Sequence, residues 1–152
     1  MHVVLVEPQI PQNTGNIART CAATGCVLHL IHPLGFSLED RYLKRAGLDY
    51  WHLVEIHHHN SIDELFSQFP SELFFFATTK AGRLYTSVRY PPSCFLVFGK
   101  ETQGLPVCLL ARYPDRCIRI PMVSATRSLN LSNAVAVVIY EALRQQGFPG
   151  LA

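Results

Sequence analysis

Three short segments hold the polar residues whose types and spacing suit catalysis. They are Asn13-Thr14-Gly15-Asn16-Ile17-Ala18-Arg19, Phe98-Gly99-Lys100-Glu101-Thr102-Gln103-Gly104-Leu105, and Ile120-Pro121-Met122 with Ser128-Leu129-Asn130-Leu131-Ser132-Asn133-Ala134. Glu101 is a carboxylate between two glycines at a strand end. It can accept hydrogen bonds from a ligand or anchor its own turn to neighbouring backbone N–H groups. Ser128, Asn130 and Asn133 stand where a strand gives way to a helix, so they can cap that helix or hold a ligand. Asn13 reads first as a helix cap. Arg19 falls in the second turn of the same helix and faces either solvent or the site; a lone helix-surface arginine is more often just solvated.

Other clusters carry less chemistry. Gly99-x4-Gly104 is not a phosphate-binding P-loop, because Leu105 and Pro106 stand where Lys and Ser/Thr would follow. It is not a dinucleotide fingerprint either. His57-His58-His59 invites a metal reading, but consecutive residues point in alternating directions and rarely close one coordination sphere. A solvated loop is the expected state there, and no metal is expected. Lys80 and Arg83, with Tyr85 nearby, could contact RNA or only solvent. Arg41, Lys44 and Arg45 with Tyr50-Trp51 make a mildly basic, aromatic region suited to phosphate contact and stacking. The competing reading is a solvated helix face followed by core aromatics.

Composition narrows the class. A chain of 152 residues with 49% hydrophobic and 16% charged content is expected to fold as one domain, residues 1–152, with a proper core. No apolar run reaches the roughly 20 residues of a membrane span. The first residues read as a strand rather than a signal peptide, which places the protein in the cytoplasm. Five cysteines without a C-x-x-C pair argue against a disulfide framework and a zinc site. A net charge of +2 permits nucleic-acid binding without arguing for it.

The elements that must position these residues alternate between strand and helix. Strands are expected at 2–7, 27–31, 53–56, 73–79, 94–98 and 116–120. Helices are expected from about Thr14 to Thr24, after Ser37 with Arg41, Lys44 and Arg45 near its end, after the capping box Ser61-Ile62-Asp63-Glu64, after Pro106, and from Leu131 to about Gln146. The last is unusually apolar and suggests burial on more than one side. Near-continuous apolar strands between helices mean an α/β fold with a mostly parallel sheet flanked by helices.

Taken together, the three segments resemble the three motifs of the SPOUT (SpoU–TrmD) class of RNA 2′-O-methyltransferases, in order and each after an expected strand. Within that class the chain is most similar to the small tRNA wobble methyltransferases of the TrmL (YibK) family. The start Glu7-Pro8-Gln9-Ile10-Pro11-Gln12, the segment Arg45-Ala46-Gly47-Leu48-Asp49-Tyr50-Trp51 and the ending Tyr140-Glu141-Ala142-Leu143-Arg144 carry that likeness. The resemblance implies a SPOUT fold with a C-terminal trefoil knot, and S-adenosylmethionine as cofactor. It implies a tRNA substrate methylated on the ribose 2′-oxygen of the wobble cytidine or uridine, and a homodimer with no membrane partner. It also implies a site in which Arg19, Asn13, Glu101, Asn130 and Ser128 are catalytic. Ala77, Thr78, Gly99, Glu101, Gly104, Ile120, Met122, Ser128 and Leu129 would hold the cofactor. Lys100 and Gln103 stand where the second motif often has Pro and Arg, and Val123-Ser124-Ala125-Thr126-Arg127 replaces a loop that often has a Pro-Asp pair. A ribosomal-RNA 2′-O-methyltransferase and a non-catalytic RNA-binding module on the same scaffold are the alternatives.

Overall fold

The structure is a computed structural model that describes residues 1–39 and 50–152. The expected helix after Ser37 and the basic residues Arg41, Lys44 and Arg45 therefore lie outside the described residues, as do residues 45–49 of the likeness quoted above.

Six strands form one sheet in which every pairing is parallel: β1 (His2–Val6), β2 (Val27–Ile31), β3 (Ile56–His59), β4 (Phe74–Ala77), β5 (Phe95–Phe98) and β6 (Cys117–Ile118). Their order is β3-β2-β1-β5-β4-β6. Four helices belong to the described residues: α1 (Pro11–Thr24), α2 (Ile62–Gln68), α3 (Val107–Arg112) and α4 (Leu131–Gln145). The strands are short and apolar because both sheet faces are covered. On β1, Val3 and Leu5 pack with Ile17, Ala18 and Cys21 of α1 and Val135, Val138 and Ile139 of α4. Val4 and Val6 point the other way, toward Leu65 of α2 and Leu109 of α3. This is the period-2 alternation of a strand buried twice.

Several expectations need correction. α1 starts at Pro11, not Thr14, with Pro11 in its first turn and Ile10 as a cap that makes no side-chain hydrogen bond. Proline suits that position because the N–H it lacks would be unpaired there anyway. Asn13 is thus inside the helix, and its side chain is free for another task. The third strand lies three residues later than expected, over Ile56–His59, so the histidine triplet is strand rather than solvated loop. β6 is two residues long rather than five, because Pro114–Arg116 is a turn of 3-10 helix and Arg119 leaves the sheet to bridge Leu84. Pro106 stands just before α3 as its N-cap rather than within it. The capping box holds in part. Ser61 Oγ accepts from Glu64 N at 3.1 Å, while the Glu64 carboxylate accepts from Asn60 N at 2.6 Å rather than from Ser61 N. Four of the five cysteines are buried and Cys108 is exposed, all as free thiols.

Candidate active site

The chain winds from β1 outward to β3 on one side, then crosses to build β4, β5 and β6 on the other. In such sheets the crevice outside the carboxyl ends of the strands is where a ligand fits. A cavity of about 460 Å³ opens there, at the ends of β4, β5 and β6. That volume suits a small molecule of cofactor size.

The loops that wall it include parts of all three segments and the turn after β4. Ala77, Thr78 and Lys80 follow β4. Phe98, Gly99, Lys100, Glu101, Gly104 and Leu105 follow β5. Ile118, Arg119, Ile120 and Met122 follow β6. Arg127, Ser128, Leu129, Asn130 and Leu131 lead into α4, with Ile10 and Asn13 at the start of α1. The lining is amphipathic, with Ile118, Ile120, Met122, Leu131 and Val138 among its apolar residues and Thr78, Ser128 and Asn130 among its polar ones.

One hydrogen-bonded chain of side chains ties the three segments together. The Glu101 carboxylate accepts from Gln9 N at 2.8 Å, Ile10 N at 3.0 Å and Asn13 Nδ2 at 3.1 Å. Asn13 Oδ1 then accepts from Asn130 Nδ2 at 3.0 Å. Asn130 Oδ1 caps α4, accepting from Ser132 N at 2.9 Å, Asn133 N at 3.4 Å and Ser132 Oγ at 2.7 Å. The polarity of this chain has a single source. An ionised carboxylate only accepts, so Asn13 must donate to it; Asn13 then offers its oxygen to Asn130, which keeps its own oxygen for the helix N–H groups. Asn13 is 5% exposed and sits at the middle. Of the two roles open to Glu101, the anchoring of backbone N–H groups is the one seen here.

The glycines of the second segment act on the loop itself. A Cβ on Gly99 would come within 2.1 Å of the Gly104 carbonyl carbon, and Gly104 has a positive φ of 68°. Lys100 and Gly104 pair across the turn, Gly104 N donating to Lys100 O at 2.8 Å. Lys100 Nζ also pairs with the Glu7 carboxylate at the end of β1.

Arg19 is not among the cavity's lining residues. It is exposed on α1, its guanidinium 4.7 Å from the Tyr50 ring centroid and its Nη2 3.4 Å from Tyr50 Oη. Asn13 and Arg19 are six residues apart, which at about 100° per residue puts them on different sides of the helix. Among the described residues no three His, Cys, Asp or Glu side chains are grouped so as to hold a metal ion. Arg119 lines the cavity and was hidden in the sequence inside an expected strand. The trace it left is a charge between Ile118 and Ile120 in an otherwise apolar run.

A model of the SpoU rRNA methylase family matches residues 1–140. The chain belongs to the SpoU methylase family. A relative from Geobacillus stearothermophilus is 56% identical over 100% of this chain and 99% of its own, and is named, provisionally, a tRNA (cytidine(34)-2′-O)-methyltransferase. A solved structure described as giving insight into the 2-OH methylation of C/U34 on tRNA superposes with a TM-score of 0.92 at 45% identity, over 96% of this chain and 95% of that one. An AdoMet-bound rRNA methyltransferase from Sinorhizobium meliloti matches with a TM-score of 0.82 at 27% identity, over 94% of this chain and 55% of that one. The all-parallel sheet with helices on both faces is thus the SpoU arrangement.

Proposed function

We propose that this chain transfers a methyl group from S-adenosylmethionine to the ribose 2′-oxygen of the wobble pyrimidine of tRNA. The observation that carries the reading is the Glu101–Asn13–Asn130 chain, which closes the three SpoU segments around one amphipathic cavity. The cavity's donor set fits the cofactor, which needs apolar walls for its base and polar groups for its sugar and amino-acid ends. Ala77, Thr78, Gly99, Gly104, Ile120, Met122, Ser128 and Leu129 would hold it, and when bound it supplies an electrophilic methyl on a sulfonium.

The protein's own part is orientation. Glu101, Asn13 and Asn130 hold the loops in register, and Ser128 presents a hydroxyl at the cavity wall. Arg19 clamps an RNA phosphate and polarises the attacking 2′-hydroxyl. Its proton passes to a phosphate oxygen or to water, since arginine stays protonated. An RNA large enough to span both the cavity and the Tyr50 face of α1 is what brings Arg19 into the reaction. The chain is further read as a knotted homodimer. The SpoU family membership supports the trefoil knot, and the exposed Val137 and Tyr140 on α4 support the dimer.

The test is methyl transfer from labelled S-adenosylmethionine to total tRNA of a strain lacking its own wobble 2′-O-methyltransferase, with mapping of the label. Label on the wobble ribose is the expected result. Label on ribosomal RNA alone, or cofactor binding without transfer, would replace this reading with one of the two alternatives.

A further inference from the structure

Among the described residues four cationic side chains line the cavity, and they are not in the same state. Lys100 is neutralised by Glu7. Lys80, Arg119 and Arg127 line the cavity too, and no carboxylate is paired with any of them among the described residues. Among the described residues the only acid in the lining is Glu101, and both of its oxygens are already engaged by Gln9, Ile10 and Asn13. Three unpaired positive charges therefore share one cavity in a chain whose net charge is only +2. A concentration of one sign at a cleft attracts an anionic ligand and raises its local concentration.

The three side chains come from two connections: Lys80 follows β4, and Arg119 and Arg127 stand toward opposite ends of the segment that joins β6 to α4. The backbone of Arg119 is held from both sides: its N–H donates to Arg83 O at 2.9 Å, and its carbonyl accepts from Tyr85 N at 2.9 Å. Its side chain thus leaves a fixed base. Arg83, next to it, has its guanidinium turned away to donate to Asp115 O at 2.9 Å. A single carboxylate would occupy one such cation, or two. Three, spread over two connections that wall the same cavity, suit a ligand with anionic groups repeated along its length.

We propose that Lys80, Arg119 and Arg127 form a grip for the phosphodiester groups on either side of the reacting nucleotide. This rests on the reading of the cavity as a methyl-transfer site on RNA. It adds which residues bind the strand there, and separates them from Arg19 on the far side of α1. Phosphate contacts of this kind set position and register without reading bases.

The experiment is fluorescence anisotropy of a labelled tRNA transcript across a salt series, with Lys80→Gln, Arg119→Gln, Arg127→Gln and the triple variant. Each single change is expected to lower the slope of log affinity against log salt by about 0.7–0.9, and the triple by about 2–3. Arg112→Gln, which removes a cation paired with Asp63 on the α3 surface, is expected to keep the wild-type slope. Calorimetry with S-adenosylmethionine alone is expected to show affinity within about twofold of wild type for all variants, on the ground that the cations serve RNA and not the cofactor. A wild-type slope in the three single variants overturns the grip. So does a tenfold loss of cofactor affinity with the RNA slope unchanged, which would assign these cations to the cofactor's carboxylate. The single variants decide the matter if the triple variant does not fold. A wild-type protein that binds tRNA but transfers no methyl would end the reading of the cavity, and the slopes on the same RNA would still decide the grip.

Discussion

Replacing Glu101 by alanine strips the partner from two backbone N–H groups and from the Asn13 amide. Water can reach Gln9 and Ile10, so the expected stability loss is moderate, about 1–2 kcal/mol by chemical denaturation. Methyl transfer should fall far more, by about 100-fold or greater, because the loops would no longer hold one geometry. A Glu101→Ala protein with near-normal turnover would show that the bond chain is only scaffolding. Asn130→Ala should cost about 1 kcal/mol through the lost helix cap, with a larger drop in turnover than that figure accounts for. Arg19→Ala should leave folding unchanged and lower turnover by about 100-fold, as loss of one charge-stabilising group does; near-normal turnover would remove Arg19 from the mechanism. At this scale the sequence was partly legible. The resemblance of their motifs marked Asn13, Glu101 and Asn130 as candidates, but their direct bonds join residues 88 and 117 positions apart, which no local pattern reveals. Asn13 looked like a cap because its residue type suits one. Pro11 took the first turn instead and released the amide.

Across β1, β2 and β3 the histidines form a ladder that the triplet alone could not announce. His2 Nδ1 lies 3.0 Å from His29 Nε2, and His29 Nδ1 lies 2.9 Å from His59 Nε2. His57 stacks on His29, while His58 faces the other way and meets His32 at 2.9 Å. Alternation along the strand puts His58 on the opposite face from His57 and His59; what the triplet lacked was the neighbouring strand, whose register places His29 beside His57. Burial holds His2, His29 and His59 below the ordinary imidazole value of 6.5, with His29 pushed down to about 3. The carboxylates Glu55, Glu72 and Glu64 oppose that shift at His2 and His59 without reversing it. As pH falls below 6.5, the unfolded chain takes up protons that the folded chain refuses. Stability is therefore full above that pH and is lost progressively toward about 3, where His29 protonates in the fold. The slope is up to about 1.4 kcal/mol per pH unit for each proton involved. Thermal melts from pH 7.5 to 4.5 should show a steady decline that His29→Phe reduces. A flat wild-type profile down to pH 5 would exclude the ladder as its cause.

The whole chain exposes apolar side chains in a pattern that fits self-association. Val137 and Tyr140 stand 36% and 47% exposed one turn apart on α4, and Ile10 and Leu129 are exposed near the cavity mouth. Sedimentation equilibrium should return twice the 17.1 kDa chain mass, and Tyr140→Glu should shift it to the single-chain value; a wild-type monomer at micromolar concentration would end the dimer reading. The α/β class was legible because strand and helix periods alternate plainly. The placement of β5 between β1 and β4 was not, since strand order is a matter of long-range pairing. That same pairing has a consequence for synthesis. β1 leaves the ribosome before the other five strands, yet one of its flanks waits for residues 95–98, and Asn13 waits for Asn130. At about 5–20 residues per second the first strand spends on the order of ten seconds with an open apolar edge. During that interval the chain exposes the kind of apolar surface that chaperones bind, and a message truncated before α4 lacks residues that cover one face of the sheet.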